Sequence, residues 1–303
     1  MAKNLIIVTG PTAIGKTGAA IQLATHFQTE IVSADSRQIY RELSIGTAVP
    51  SAKELAKVKH HFIHTHSIFD TYNASRYESE ALQLLEQLFQ KYETVVMTGG
   101  SMLYLDAVCY GIDAMPDVDV ELRQILKGRL EKEGIESLRM QLKRLDPAYY
   151  SKADLKNPAR ILHALEICLQ TGKPYSSFLS SKPQKRPFSI LKTGLTCDRS
   201  DIHNRINQRV DQMLQTGLEE EALRHYPFQH LNALNTVGYQ EFFNFFGGII
   251  SKDEAIRLIK RNTRRYARKQ LTWFRKDKEL TWFHPQDIIQ LIHFIEQNIK
   301  NDK

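Results

Sequence analysis

The sequence contains only three cysteines among 303 residues, and they lie far apart at Cys109, Cys168 and Cys197. The chain has no Cys-x-x-Cys pair. This argues against a zinc ribbon and against a disulfide framework. Such cysteine usage suits a reducing compartment, so we expect a cytoplasmic protein.

Long apolar runs are also lacking. A membrane-spanning helix needs about 20 apolar residues in succession, and the sequence contains no such stretch. Near the N-terminus only residues 5–8 form a strongly apolar run, which is too short for the core of a signal peptide. We therefore expect no signal peptide and no membrane partner, and the hydrophobic content of 42% is ordinary for a globular protein.

Positive charge exceeds negative charge, with 41 lysines and arginines against 34 acidic residues. A basic surface attracts polyanions such as nucleic acid, acidic membranes or phosphorylated ligands. The clearest concentration is in residues 257–278, which hold ten lysines and arginines and one acid. Six of these cations recur at three- and four-residue spacing on a predicted helix, namely Arg257, Lys260, Arg261, Arg264, Arg265 and Arg268.

This cationic helix face is typical of binding to the phosphate backbone of a nucleic acid, and an ordinary exposed surface is the alternative. Trp273 and Phe274 could stack on a base. We predict instead that they are core residues, because Ile259, Tyr266, Leu271 and Phe274 can form the opposite, apolar face of the helix.

Apolar strand patterns alternate with helical patterns along the chain. The predicted strands cover residues 5–8, 30–34, 94–98, 189–196 and 280–283, and the predicted helices cover residues 16–27, 74–92, 198–217, 252–272 and 285–299. Asp198 or Ser200 could cap the third helix. Alternating strands and helices indicate an α/β fold with a parallel sheet that is covered on both faces.

Residues 116–187 differ from the rest of the chain, because they show helical patterns and little strand signal. Pro183 and Pro187 close this stretch, and a strand pattern resumes at residue 189. We therefore predict a mostly helical insertion at residues 116–187, between two parts of one core at residues 1–115 and 188–303.

A phosphate-binding pattern, G-x-x-x-x-G-K-[ST], lies between the first predicted strand and the first predicted helix. Its residues are Gly10, Pro11, Thr12, Ala13, Ile14, Gly15, Lys16 and Thr17. Glycines let several backbone N–H groups point at an anion, and the following helix adds the positive end of its dipole. Lys16 supplies a cation for the outer phosphate, and the Thr17 hydroxyl is placed to ligate Mg²⁺.

This loop predicts a site for two or more linked phosphates, on a P-loop NTPase-like parallel sheet core. An NTPase usually carries an aspartate at the end of a later strand to help hold the metal. The candidate strand, residues 94–98, is followed by Gly99 and Gly100 without a carboxylate. This absence argues against a motor or switch NTPase that hydrolyses ATP.

Asp35 follows the second predicted strand. Because ligands sit at the carboxyl ends of parallel strands, Asp35 should face the same crevice as Lys16. It could accept a proton from an attacking nucleophile, orient a water on magnesium, or cap a helix, and the residues alone leave these roles open. Ser36, Arg37 and Gln38 add groups able to read a base or hold a phosphate.

Several blocks of the sequence, taken in order, resemble the signature blocks of tRNA dimethylallyltransferases. They lie at residues 10–17, 35–40, 45–48, 99–104, 157–166, 198–211, 237–239 and 263–275. The resemblance covers nearly the whole chain, which is far more specific than the phosphate loop alone. Two positions depart from the usual family residues, since Ser101 replaces a threonine and His64 stands where an aspartate is common.

The resemblance implies that the loop holds the diphosphate of dimethylallyl diphosphate, with Arg205 or Arg209 contacting the same group. It implies that Asp35 is the general base at the exocyclic amine of the adenosine just 3′ of the anticodon in tRNA. Ser101 then lies near the reaction channel. The tRNA-binding residues would be Asp35, Ser36, Arg37, Gln38, Ser101, Arg123, Arg160, Arg264 and Arg268, and the helical insertion would grip the anticodon stem-loop.

The predicted activity is prenyl transfer to tRNA by a monomer that uses Mg²⁺. Lys16, the loop amides and an arginine would stabilise the leaving diphosphate, while Asp35 would deprotonate the weakly nucleophilic amine. One alternative is a P-loop kinase acting on a small molecule or nucleotide, with Asp35 positioning the acceptor. Another is a non-catalytic RNA-binding protein that retains an unused loop.

Overall fold

The computed structural model describes residues 3–113, 115–116, 119–179 and 183–301. The chain forms two compact units, of which the first comprises Met1–Tyr110 with Lys185–Lys303 and the second comprises Gly111–Gln184. Among the described residues, no helix combines the length and the apolar character that crossing a bilayer requires.

One sheet of parallel strands forms the centre of the first unit. Its strands are β1 (Asn4–Thr9), β2 (Ile31–Ser33), β3 (His60–His61), β4 (Thr94–Thr98), β5 (Ser189–Leu195) and β6 (Thr281–Phe283). They are arranged in the spatial order β3-β2-β4-β1-β5-β6, and every pairing is parallel. The predicted α/β fold is therefore confirmed, whereas β3 was not predicted because two histidines give no apolar strand pattern.

Helices account for most of the remaining structure. In chain order they are α1 (Lys16–His26), α2 (Ala52–Leu55), α3 (Ala74–Leu88), α4 (Met102–Tyr110), α5 (Val120–Glu133), α6 (Ile135–Leu145), α7 (Pro147–Tyr150), α8 (Pro158–Thr171), α9 (Arg199–Gln215), α10 (Leu218–His225), α11 (Tyr239–Phe246), α12 (Lys252–Phe274) and α13 (Ile288–Asn301). Asp198 precedes α9, but its side chain makes no capping hydrogen bond. The sequence did not predict α4, and this helix lacks a polar face because it is buried along most of its length.

The position of β1 explains where ligands can bind. All six of its residues are buried, because β4 and β5 flank it and helices such as α1 cover the sheet. The carboxyl ends of β1, β2 and β4 lie at the same edge of the sheet. The loops that follow these strands converge there, which is the usual ligand position in a parallel sheet.

The second unit is a small helical domain built from α5 to α8. Its core residues are Leu126, Leu138, Leu142, Ile161, Leu162, Ala164 and Leu165. The buried carboxylate of Asp146 accepts hydrogen bonds from the backbone N–H groups of Tyr149 and Ser176, at 2.9 and 2.6 Å. Asp146 thereby fixes the start of α7 against the segment that follows α8.

Candidate active site

The phosphate loop, residues 10–17, turns sharply between β1 and α1. Gly10 and Gly15 have φ angles of 143° and 108°, in a region that favours glycine. A Cβ atom on Gly10 would also lie 2.5 Å from the carbonyl oxygen of Leu195 on β5. Both glycines are therefore needed for the loop to curl tightly against the edge of the sheet.

Lys16 bends back over its own loop. Its Nζ atom donates hydrogen bonds to the carbonyl oxygens of Gly10 and Pro11, at 3.1 and 2.8 Å. Burial of the ammonium group, with the neighbouring positive charge of Arg209, lowers the pKa of Lys16 to about 7, although Asp35 acts in the opposite direction. An anion bound in the loop would satisfy this ammonium group and favour its charged form.

Both arginines predicted to contact the diphosphate reach the phosphate loop from α9. The guanidinium of Arg205 donates to the carbonyl oxygen of Ile14 at 3.3 Å. The guanidinium of Arg209 donates to the hydroxyl of Thr12 at 3.3 Å, and burial lowers the pKa of Arg209. Helix α9 thus adds two cations to the same loop as Lys16.

Asp35 lies in the loop that follows β2. One of its carboxylate oxygens, Oδ1, accepts hydrogen bonds from the backbone N–H groups of Arg37 and Gln38, at 2.9 and 3.3 Å. These bonds hold a turn at residues 35–38 and do not cap a helix, since residues 36–39 form a turn and the next helix begins only at Ala52. The second oxygen, Oδ2, has no hydrogen-bond partner in the described part of the chain, so the carboxylate keeps a free acceptor.

The other predicted residues of this loop are held by specific contacts. Ser101 is 8% exposed, and its Oγ accepts a 2.8 Å hydrogen bond from the backbone N–H of Ser36. Gln38 donates through Nε2 to the carbonyl oxygens of Thr47 and Ala48, at 3.1 and 3.0 Å. The guanidinium of Arg37 donates to the carbonyl oxygen of Asn235 at 3.2 Å.

Two adjoining cavities meet at Asp35. One, of about 370 Å³, is lined by the phosphate loop together with Gln38, Arg205 and Gln270. The other, of about 360 Å³, is lined on one side by the apolar residues Ile206, Val210, Met213, Leu218, Val237 and Ile259. Both cavities share Thr12, Asp35, Thr47, Ala48, Arg209 and Tyr266. The phosphate loop and Asp35 therefore line the same cavity, the one of about 370 Å³.

A third cavity, of about 410 Å³, lies along α12 and carries a cluster of arginines. Its cationic lining consists of Arg199, Arg261, Arg264, Arg265, Arg268 and Arg275, and no aspartate or glutamate belongs to its described lining. Arg264 is oriented by a 2.7 Å hydrogen bond from its guanidinium to the side-chain oxygen of Asn207. We refer to this cavity as the arginine groove.

Comparisons with known proteins place this arrangement in a family. The sequence profile described as IPP transferase matches residues 38–277. The chain belongs to the IPP transferase family. A relative from Phocaeicola vulgatus, named tRNA dimethylallyltransferase 1, is 52% identical over 298 residues, which cover 97% of this chain and 99% of the relative.

Two further comparisons agree with this membership. A relative from Azobacteroides pseudotrichonymphae, named tRNA dimethylallyltransferase 2, is 54% identical over 286 residues, or 94% of this chain and 93% of the relative. The crystal structure of a tRNA isopentenylpyrophosphate transferase from Bacillus halodurans is 31% identical, with a TM-score of 0.74, and covers 99% of this chain and 97% of that chain. The resemblance seen in the sequence blocks is therefore confirmed.

The cationic face of α12 in this IPP transferase is less uniform than its sequence indicates. Arg257 forms an ion pair with Glu254 at 2.6 Å, and Lys260 forms one with Asp211 at 2.5 Å. Two of the six predicted cations are thus paired with acids. Acids at other positions of α12 and on α9 neutralise them, and the uncompensated charge concentrates in the arginine groove.

Two aromatic residues on α12, Tyr266 and Trp273, were predicted to be core residues, and this prediction is wrong because both are exposed. Tyr266 is 38% exposed and lines both cavities at Asp35. Trp273 is 40% exposed, and its indole N–H donates to Asp106 at 2.9 Å. Phe274 and Ile259 are buried as predicted.

Arg123 and Arg160 lie in the helical unit. Arg123 donates two 2.7 Å hydrogen bonds to the carboxylate of Glu166. Burial acts to raise the pKa of Glu166, but the hydrogen bonds from Arg123 and His163 outweigh it and bring that pKa to about 2. Arg123 is therefore already paired, whereas Arg160 is exposed on α8.

Sequence reasoning missed two residues that hold the site together. Gln270 is 1% exposed and bonds to the backbone at both Thr12 and Gly100. Glu221 is 2% exposed and accepts hydrogen bonds from three consecutive backbone N–H groups before Thr47. The sequence did carry a signal for Gln270. This polar residue stands three positions after Ala267 and four before Phe274, on the face of α12 that is buried.

The protein alone offers few ligands for a metal ion. Within the described ranges, no group of three or more histidine, cysteine, aspartate or glutamate side chains is placed to hold one. Thr17 lines the phosphate-loop cavity, and its hydroxyl has no hydrogen-bond partner among the described residues. This donor set fits a cation held mainly by phosphate oxygens, with Thr17 as an additional oxygen ligand.

Proposed function

We propose that the chain transfers a dimethylallyl group from dimethylallyl diphosphate to the exocyclic amine of the adenosine 3′-adjacent to the anticodon of tRNA. The products are N6-dimethylallyl adenosine and diphosphate. The observation that carries the proposal is the cavity that the phosphate loop and Asp35 line together. The names of relatives that are more than half identical over nearly the full chain support it.

In this proposal the phosphate loop stabilises the leaving diphosphate. Cleavage of the carbon–oxygen bond leaves negative charge on the diphosphate, and pre-placed donors lower the barrier without reorganising. The loop N–H groups, Lys16, Arg205 and Arg209 are the donors within reach of that position. Mg²⁺, held by the phosphates and by Thr17, would supply further positive charge when bound.

Asp35 is the general base in the proposal. An adenine amine is a poor nucleophile until a base removes a proton from it. The carboxylate fits this role because Oδ1 is held by two backbone N–H groups and Oδ2 stays free at the junction of the two cavities. The apolar wall formed by Ile206, Val210 and Met213 suits the uncharged part of a substrate.

The arginine groove is the proposed contact for the RNA backbone. Phosphate contacts position a nucleic acid without reading its sequence, and the groove offers Arg264 and Arg268 for this purpose. We further propose that the helical insertion at residues 116–187 grips the anticodon stem-loop, with Arg160 exposed for phosphate contact. Arg123 would have to leave or share Glu166 to take part.

One incubation tests the proposed activity. Purified protein is mixed with labelled dimethylallyl diphosphate, unmodified tRNA and magnesium, and the label in RNA is measured. Transfer of label to the target adenosine is the expected result. Phosphorylation of a metabolite that depends on ATP, without transfer of label, would instead identify a kinase. Light scattering on the same preparation tests the proposed monomer.

A further inference from the structure

Gln270 is a buried side chain on α12 whose two polar atoms are both engaged. Its Oε1 accepts the backbone N–H of Thr12 in the phosphate loop at 2.9 Å, and its Nε2 donates to the carbonyl oxygen of Gly100 at 2.9 Å. An amide oxygen must face a donor and an amide nitrogen must face an acceptor, so these partners fix the orientation of the carboxamide. Gln270 thereby joins the loop after β1 to the turn after β4.

The carboxamide also lies beside the ammonium group of Lys16. A Cβ atom built on Gly100 would collide with Nε2 of Gln270 and would lie 3.6 Å from Nζ of Lys16. Glycine at position 100 therefore makes room for the carboxamide. In loops of this kind the lysine reaches the outer phosphates of the ligand. Gln270 consequently occupies the end of the loop where the last phosphate of a chain would meet Lys16.

The hydrogen bond between Thr12 and Gln270 reduces the number of N–H donors that the loop offers to a phosphate. The N–H of Thr12 is consumed by Oε1, so it is not available to a phosphate oxygen. The lone pairs of Oε1 would moreover repel an anion placed beside them. An outer phosphate at this position would lose a hydrogen bond and would have to displace a buried side chain.

We infer that Gln270 limits the phosphate loop to two linked phosphates and is a specificity-determining residue against triphosphates. The inference rests on the proposed function, which places a diphosphate in this loop. The loop sequence itself does not distinguish the two ligands, because the same pattern also serves nucleoside triphosphates. The discrimination comes from α12, outside the loop.

The test compares the affinities of the full chain for inorganic diphosphate and inorganic triphosphate, measured by calorimetry with magnesium. Gln270→Ala removes the whole carboxamide and its bulk, whereas Gln270→Met keeps the approximate volume and frees the Thr12 N–H and the Gly100 carbonyl oxygen. Gln22→Ala is the matched control, since Gln22 is an exposed glutamine on α1 whose amide donates only to its own helix.

The expected result is that wild type and the control prefer diphosphate. In Gln270→Ala the affinity for triphosphate rises by about tenfold relative to diphosphate, the effect of one charge-assisted hydrogen bond. Gln270→Met shows a smaller gain of the same sign, and it carries the test if the alanine variant does not fold. An unchanged ratio in both variants, or an equal loss of both affinities, overturns the inference.

Failure of the proposed function would look different. In that case wild type either binds neither anion or prefers triphosphate, as a P-loop kinase would, and the loop is not a diphosphate site. If wild type binds diphosphate and the ratio does not respond to position 270, only the role of Gln270 is refuted. Prenyl-transfer assays on the same variants distinguish these two failures a second time. They give the KM for dimethylallyl diphosphate, the substrate whose diphosphate is proposed to lie in the loop.

Discussion

The ammonium nitrogen of Lys16 lies 2.8 Å from the carbonyl oxygen of Pro11 and donates a hydrogen bond to it within the same loop. A pKa of about 7, against the usual 10.5, follows mainly from burial and then from the positive charge of Arg209. Between these two pH values the folded chain binds fewer protons at Lys16 than the unfolded chain does. The lysine therefore costs stability below pH 7, and this cost is relieved as pH rises towards 10.5.

Binding of diphosphate should reverse this shift, which gives a prediction about protons. At pH 8 most Lys16 is neutral in the free protein, and a bound anion restores its charge. Titration of inorganic diphosphate in buffers of different ionisation enthalpy should then show uptake of up to about one more proton by wild type than by Lys16→Arg, since arginine stays charged. Equal uptake in the two proteins would contradict the assignment of pKa 7 to Lys16.

Replacement of Asp35 by asparagine should abolish base catalysis and spare RNA binding. The amide keeps an acceptor oxygen for the N–H groups of Arg37 and Gln38 but cannot take a proton. We expect the rate of transfer to fall by about 100- to 10,000-fold, with the Kd for tRNA nearly unchanged. Asp70→Asn is the control, because Asp70 is an exposed carboxylate that also holds a backbone N–H. Retained turnover in the Asp35 variant would remove Asp35 as the base.

The sequence predicts those parts of the site that depend on local patterns. The phosphate loop between a strand and a helix, and Asp35 after the next strand, need only the parallel sheet to bring them together. Gln270 and Glu221 escape such reasoning, because their backbone partners lie 170 or more residues away in the chain. Tyr266 was wrongly predicted to be a core residue for a related reason. Helical periodicity shows which face is apolar but not whether a cavity lies beside that face.

Glu221 should be needed for the shape of the site although it does not line either cavity at Asp35. Its carboxylate accepts the N–H groups of Ser44, Ile45 and Gly46 and the hydroxyl of Tyr239, the last at 2.6 Å. In Glu221→Gln an amide N–H₂ group would face some of these donors, which leaves them unsatisfied at a cost of about 2 kcal/mol. Urea unfolding should show this loss of stability.

The same variant should also lose activity, because the loop that Glu221 holds supplies the carbonyl oxygens of Thr47 and Ala48 to Gln38. We expect kcat/KM for tRNA to fall by about tenfold under conditions where the variant is fully folded. Glu220→Gln changes the exposed neighbouring carboxylate and should alter neither quantity. Loss of stability with full activity would show that the loop does not position Gln38.

Charge reversal in the arginine groove should weaken tRNA binding and reduce its dependence on salt. Arg264 and Arg268 line the groove without an acidic partner in its described lining, so each is free to neutralise a phosphate and release a counterion. In Arg264→Glu with Arg268→Glu, the slope of log K against log salt should become shallower by about one to two.

The matched control is Arg257→Glu with Lys260→Glu, which changes the formal charge by the same amount at two residues that are already in ion pairs. Because those pairs lie outside the groove, the control should lose some affinity through long-range repulsion but keep most of the slope. Equal slopes for the two double variants would mean that net charge, rather than the groove, attracts the RNA.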